Sequence, residues 1–536
     1  LKSIIIRVAA ASIAGMCMIS QLAQPVSAQI SSPFQDISSS YAKDDILALY
    51  EKNILTGTSN TIFSPIKSMT RAEFVTVLDR LLGLEPVASP VTSFKDIAPK
   101  DWYYGWIQAA VQLGLVGGTS ASTFAPSSVI TRQEAAVLLT RAMKQMNEGN
   151  GIKLSFNDKS LISDWAVSSV AAMQKIGLMK GDETGRFRPR DPIQRQEIAV
   201  LINRVLHKES WAAELERKAE NRIQLGWQYG QTTDEYRKSI VNSNVNTLSP
   251  RWYFLDEAGA VSNGTVPSLV TWAHTYNRKV WAMVGNRSNQ EETHRVLSSA
   301  DSRNKLINTL TSYVKQYGLD GLDIDFENMA PKDRSVFTTF ITDLRAKLHA
   351  INAVLVVNVS ADEGTDWTDV FDYAALGKQA DYVLMMGYDE HWSGDTVAGS
   401  VASLPFVKDA MDNLLKVVPN KKIILALPLY NRDWSMNKNG SSSSSVNITL
   451  AEQNRLIAAN SIKPVWNSVL GQYTASYTKS GVQHRLWLEE GRSLSAKYEL
   501  ALNDRIAGLA YWHIGGESSD TWTSLRNADK YAGYSF

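Results

Sequence analysis

The run Asp320-Gly321-Leu322-Asp323-Ile324-Asp325-Phe326-Glu327 alternates acids with apolar residues at a period of two. Successive side chains of a strand face opposite ways, so Leu322, Ile324 and Phe326 share an apolar face while Asp323, Asp325 and Glu327 share the other. That apolar face belongs to a covered strand, and it leaves three carboxylates confined in one narrow space. Like charges held together raise one another's pKa and do not all ionise cheaply. A structural protein gains little from such a site, whereas catalysis can use it. The residues admit two other readings. One is a carboxylate metal site, against which stands the lack of any histidine beside the run; the other is a solvated edge strand, against which stands the apolar face itself.

The run resembles the DGxDxDxE signature of family 18 glycoside hydrolases, with every acidic position filled. The resemblance extends over roughly residues 224 to 536 and implies an α/β fold, a (β/α)8 TIM barrel in which this segment is the fourth strand. Glu327 then stands at the C-terminal end of its strand, where such barrels keep their chemistry. After Ile223, short apolar runs alternate with longer helical patterns, as parallel α/β folds require. Barrel strands are expected at residues 223–229, 247–252, 279–284, 321–326, 354–359, 382–386, 422–427 and 508–512. The Tyr-, Ser- and Thr-rich residues 434–488 are expected to form a small insertion after strand seven, with a flexible segment at 439–445.

Two acids on one face of one strand cannot flank a glycosidic bond from both sides, as an acid paired with a carboxylate nucleophile must. The resemblance supplies the nucleophile: the substrate's own 2-acetamido oxygen, with Glu327 as general acid and then base, Asp325 holding the acetamide N–H, and Asp323 sharing charge and a proton with Asp325. Met386-Gly387-Tyr388-Asp389 resembles the family's Met-x-Tyr-Asp, which gives Tyr388 the task of orienting the acetamide and makes Asp389 a substrate-binding candidate with Asp320. Trp512 corresponds to the tryptophan that floors the subsite of the cleaved sugar, and Trp434 is a further subsite candidate. This chemistry needs neither metal nor cofactor. Ala282-Met283-Val284-Gly285-Asn286-Arg287 replaces the Ser-x-Gly-Gly usual in chitinases, while residues 388–394 and 486–493 look more like the branch of spore-cortex and cell-wall lytic enzymes. The expected substrate is therefore β-1,4-linked N-acetylglucosamine in peptidoglycan. Chitin is the alternative, and a catalytically inactive sugar-binding barrel is the competing class.

Ahead of this segment, Phe34-Gln35-Asp36, Phe94-Lys95-Asp96 and Phe156-Asn157-Asp158 recur about every 60 residues. Each begins a unit that ends in Thr70-Arg71-Ala72-Glu73, Thr131-Arg132-Gln133-Glu134 or Gln194-Arg195-Gln196-Glu197, an internal repeat. Thr-x-x-Glu before an apolar helix is a capping box. An arginine in the first helical turn opposes the macrodipole, a cost that an anionic ligand offsets. The units resemble S-layer homology domains, an all-α three-repeat module. The resemblance implies that Arg71, Arg132 and Arg195 bind an anionic secondary cell-wall polymer, with the third groove the weakest because Gln194 caps less well than Thr.

Residues 1–28 read as a secretion signal, with Lys2 and Arg7 before an apolar run and Val26-Ser27-Ala28 as a small-x-small cleavage site. The chain's single cysteine, Cys17, lies inside it, so no disulfide is expected beyond. The expected domains are the signal, repeats at 29–90, 91–150 and 151–208, a helical connector at 209–221 and the barrel at 222–536. A net charge of +1 without a polybasic block argues against nucleic acid and suits a neutral sugar polymer. No membrane contact is expected after signal cleavage, and the protein is expected outside the cell, attached to a Gram-positive wall or S-layer.

Overall fold

A computed structural model describes residues 32–218, 220–256 and 260–536, so the expected signal segment lies outside the described residues. Eight parallel strands, Ile223–Gln228, Thr247–Leu255, Lys279–Gly285, Gly321–Asp325, Val354–Ser360, Tyr382–Met386, Ile423–Pro428 and Gly508–Ile514, pair in chain order. The first strand pairs with both the second and the last, which closes a barrel. Its interior is filled by alternate residues, among them Leu225, Trp281, Met283, Val356, Leu384, Ile424 and Ala510. Outward-facing residues meet the helices: Phe326 stacks on Phe340 of the helix Arg334–His349 at 5.8 Å between ring centroids.

After the seventh strand the chain forms a five-stranded antiparallel sheet from strands within residues 430–488, together with the helix Leu450–Ala459. Residues 439–445, expected to be flexible, lead into the strand Ser442–Thr449, which pairs along Tyr430–Met436. The Ser-rich sequence is thus held by backbone pairing that its composition does not announce.

The N-terminal module is helical. Each repeat contributes two helices, Lys43–Glu51 with Arg71–Leu81, Tyr104–Gln112 with Arg132–Ala142, and Asp164–Lys175 with Arg195–Leu206. The repeats close on one another through a ring of backbone hydrogen bonds, Met69 N to Ile193 O, Ile193 N to Ile130 O and Ile130 N to Met69 O, each 3.0 Å. The aspartate of each Phe-x-Asp accepts from two backbone N–H groups of the following Phe-x-Pro turn: Asp36 from Phe63 and Ser64, Asp96 from Phe124 and Ala125, Asp158 from Phe187 and Arg188. The clasp holds Ser64, Ala125 and Arg188 at φ of 59°, 61° and 56°, a left-handed conformation that non-glycine residues rarely adopt.

The two modules are docked. Tyr531 and Tyr534, at the chain's C-terminal end, belong to the core of the helical module. The Tyr534 hydroxyl donates to Leu82 O at 2.7 Å and that of Tyr531 to Arg141 O at 2.8 Å. Glu85 receives Arg526 through both carboxylate oxygens at 2.8 Å and exchanges two hydrogen bonds with the Asn527 amide. No helix among the described residues is long and apolar enough to cross a membrane.

Candidate active site

The carboxylates stand at the C-terminal mouth of the barrel because strand four carries them on its inward face. Asp323 is deepest and fully buried. One of its oxygens accepts from Trp227 Nε1 and from Ser249 Oγ, both at 2.8 Å. Burial pushes its pKa up to about 6, with these donors partly opposing the rise. Asp325, one step higher, is raised well above the usual carboxylate range by burial first and then by the charges of Glu327 and Asp323. The Asn358 amide lies near both aspartates and favours their charged forms, yet makes no well-formed hydrogen bond. Burial also raises Glu327, and a 3.0 Å hydrogen bond from Ser288 Oγ opposes it. The result is a stack of acids whose pKa values are all raised, which favours the protonated form that a general acid requires.

Glu327 is fastened by residues that the sequence reading did not single out. Asn286 accepts from the Glu327 N–H at 3.0 Å and donates to its carbonyl at 2.7 Å. Asn328 donates to Ser288 O at 2.9 Å. Arg287, Ser288 and Asn328 all have φ between 50° and 53°, and such conformations cluster at functional sites. The only sequence signal was the departure from Ser-x-Gly-Gly at the end of strand three.

Tyr388 and Trp512 pack at the top of the barrel interior, and Trp512 lies 5.7 Å from Trp227, the partner of Asp323. Burial raises the Tyr388 pKa, so its hydroxyl keeps its proton. Asp389 adjoins the cleft, receives the Tyr430 hydroxyl and lies 3.9 Å from Arg432. A cavity of about 480 Å³ opens beside Glu327, Tyr388 and Asp389, bordered by the exposed Trp367 and Trp392.

Two candidates are displaced from the cleft. Asp320 precedes strand four at the opposite end of the barrel, where it binds His274 at 2.8 Å, Lys279 at 2.9 Å and the Val280 N–H at 2.9 Å. It is a latch between barrel elements and not a substrate ligand. Trp434 is fully buried within the insertion, and its indole N–H donates to Gly399 O at 2.9 Å, so it offers no face to a sugar.

The motif arginines reach from each repeat to the next. Arg132 and Arg195 are buried. Arg132 donates to Phe187 O at 2.8 Å and Glu197 at 2.7 Å, and Arg195 to Phe63 O at 2.8 Å and to Thr56 O. Arg71 is only half-buried; it donates to Gly117 O at 2.7 Å and leaves its Nε without a partner. The third helix starts in register without a threonine, since Glu197 still accepts from Gln194 N at 2.9 Å.

A closed (β/α)8 barrel with stacked carboxylates of raised pKa at its C-terminal mouth defines a glycosidase of the TIM-barrel class. Residues 230–517 match the family described as Glycosyl hydrolases family 18, and residues 33–75, 93–136 and 155–199 match the S-layer homology domain. The chain belongs to glycosyl hydrolase family 18 and carries three S-layer homology repeats. It is 29% identical over 322 residues to the uncharacterized glycosylase YvbX of Bacillus subtilis, spanning 57% of this chain and 91% of that protein. It is 26% identical over 316 residues to the cortical fragment-lytic enzyme of Bacillus anthracis, spanning 55% of this chain and 72% of that protein. The crystal structure of the Bacillus cereus spore cortex-lytic enzyme SleL shares the fold, with a TM-score of 0.53 at 20% identity over 58% of this chain and 75% of that one.

Proposed function

We propose that this glycosidase cleaves β-1,4 bonds following N-acetylglucosamine in peptidoglycan, by substrate-assisted catalysis with retention, while its repeats hold it at the cell wall. The observation that carries the mechanism is that Asp323 and Asp325 lie on strand four and Glu327 follows two residues past its end, so all three approach the cleft from one side. A retaining mechanism with an enzyme nucleophile needs a carboxylate across the bond from the acid. Of the two other acids lining the cavity beside Glu327, Glu363 and Asp389, the one whose charge acts on Glu327, Asp389, is engaged by Tyr430 and Arg432.

In the proposed reaction Glu327 gives its proton to the glycosidic oxygen as the bond to the anomeric carbon breaks. The acetamido oxygen of the same sugar closes on that carbon, forming an oxazolinium ion. Asp325 accepts the acetamide N–H and balances the positive charge, Tyr388 orients the acetamide, and Trp512 supports the sugar ring. Glu327 then takes a proton from water as that water opens the ring from the face the leaving group vacated. Peptidoglycan is favoured over chitin by the likeness to cortical fragment-lytic enzymes and by the non-chitinase sequence at the end of strand three. Anchoring rests on the three S-layer homology repeats. The groove lined by Arg132, Lys180, Arg188 and Arg204, whose four cations outnumber the acids Asp182 and Glu197 beside them, offers one place for an anionic wall polymer.

Substrates lacking the 2-acetamido group should be inert, and a thiazoline analogue of N-acetylglucosamine should inhibit competitively. A glycosyl ester trapped on Asp325 or Asp323 would refute the mechanism.

A further inference from the structure

The walls of the cleft differ in charge. The cavity on the Tyr388 side is lined by Glu327, Glu363 and Asp389, with no lysine or arginine among its lining residues. The Trp512 side carries two cations instead. Arg251, on barrel strand two, places its guanidinium carbon 4.9 Å from the Tyr229 ring, 5.2 Å from Phe254 and 5.6 Å from Trp512. Arg287, exposed on the turn after strand three, lies 4.3 Å from the same Phe254 ring.

Two guanidinium groups therefore adjoin one phenylalanine ring, and an anion held between them would relieve their mutual repulsion. Neither guanidinium makes a hydrogen bond or a direct ion pair among the described residues, and Arg251 Nε is shielded from solvent with no hydrogen-bond partner. The backbone is shaped to keep them there. Gly285 leaves the Phe254 ring its space, since a Cβ at that position would lie 2.7 Å from it. Arg287 and Ser288 both take φ of 53°, so that one residue rises to the rim while the next turns to Glu327. This lies in the stretch where the chain departs from the chitinase pattern, and a neutral homopolymer of N-acetylglucosamine offers two arginines hydrogen-bond acceptors but no negative charge to offset their own.

We infer that Arg251 and Arg287 are specificity-determining residues that together bind a carboxylate carried by the sugar adjoining the cleaved N-acetylglucosamine on the Trp512 side. The inference rests on the glycosidase reading above and adds the substrate's charge to it. In an alternating N-acetylglucosamine and N-acetylmuramic acid strand that neighbour is N-acetylmuramic acid. Its carboxylate has two sources: the free lactyl group of a strand stripped of peptide, or the acids of a stem peptide that amidates the lactyl group. Paired guanidinium donors suit a carboxylate in planar, charge-assisted geometry.

The test compares kcat/KM of the full chain on four tetrasaccharides: chitotetraose, the alternating glycan with free lactyl groups, the same glycan with those groups amidated by ammonia, and the glycan bearing stem peptides. The parent should prefer an anionic glycan over chitotetraose, and the free-lactyl and peptide-bearing arms identify the source. Loss of charge-assisted hydrogen bonds should lower that preference about ten-fold or more in Arg287→Gln and in Arg251→Gln. The preference should fall with added salt in the parent and much less in the variants. Arg251 also lowers the pKa values of Asp325 and Glu327 by its charge, so Arg251→Gln should additionally shift the pH profile, whereas Arg287→Gln should change the preference alone. Equal rates on charged and neutral glycans in the parent, or an unchanged preference in Arg287→Gln, overturns the inference and leaves the glycosidase reading standing. Failure to cleave any of the four overturns both.

Discussion

Glu327 combines a buried carboxyl with a single serine donor, and the balance between them sets when the acid is available. Glu327→Gln keeps the shape but has no proton to donate, so turnover should fall by about 10²–10⁴-fold in a folded variant. Removing the Ser288 hydroxyl deletes a group that lowers the Glu327 pKa. Ser288→Ala should therefore move the alkaline limb of the pH–rate profile upward, and a limb that stays in place or moves down would exclude Ser288 from this role. The deeper acids also affect stability. Asp323, with its pKa raised from 3.8 to about 6, and Asp325, raised further by burial, hold protons in the folded protein that the unfolded chain has released. Stability is then lost as pH rises from the ordinary aspartate range through about 6 and above. Asp325→Asn should gain melting temperature relative to the parent on going from pH 4 to pH 8 while losing activity. A difference in melting temperature independent of pH would contradict the buried-acid account. Alternation along strand four made these three acids legible in the sequence. The same alternation assigns Asp320 the parity of Leu322 and Ile324, and it lies at the far end of the barrel.

At the scale of elements, the eight barrel strands fall within a few residues of their sequence positions, because buried parallel strands are short apolar runs bounded by turns. The insertion was legible only as an interruption. Its sheet is held by antiparallel pairing between distant segments, such as Trp434 with Arg485, and this buries Trp434 where local sequence offers no clue. Asn286 and Ser288 escaped notice for a related reason: their roles come from a turn that reaches strand four, and their residue types are ordinary in turns. In the repeats, the capping boxes were readable, but the destination of each arginine in the neighbouring repeat was not. Arg132→Ala should cost about 1–3 kcal/mol, since it removes hydrogen bonds to Phe187 O and to Glu197, which keeps Arg188 as its remaining ion-pair partner. Arg71→Ala, at a half-buried site with one hydrogen bond, should cost far less stability yet release the protein from walls that retain their anionic polymer. Chemical denaturation and wall sedimentation measure the two effects. Unchanged sedimentation of Arg71→Ala would remove that arginine from wall binding.

The whole molecule places the catalytic barrel and the repeat module in fixed contact, with Tyr531 and Tyr534 built into the core of the module and Glu85 clamped by Arg526 and Asn527. A wall-bound module would then present the cleft to the glycan in one orientation. Nothing in the composition foretells this docking, since its contacts join residues more than 300 positions apart through ordinary side chains. The central claim is hydrolysis on the reducing side of N-acetylglucosamine in the wall polymer, with Glu327 as the acid. The most direct measurement is digestion of purified peptidoglycan by the full chain, followed by borohydride reduction and mass analysis of the new reducing ends. The account predicts reduced N-acetylglucosamine at those ends with the parent and little release with Glu327→Gln. Reduced N-acetylmuramic acid as the new end, or equal release by Glu327→Gln, would contradict it.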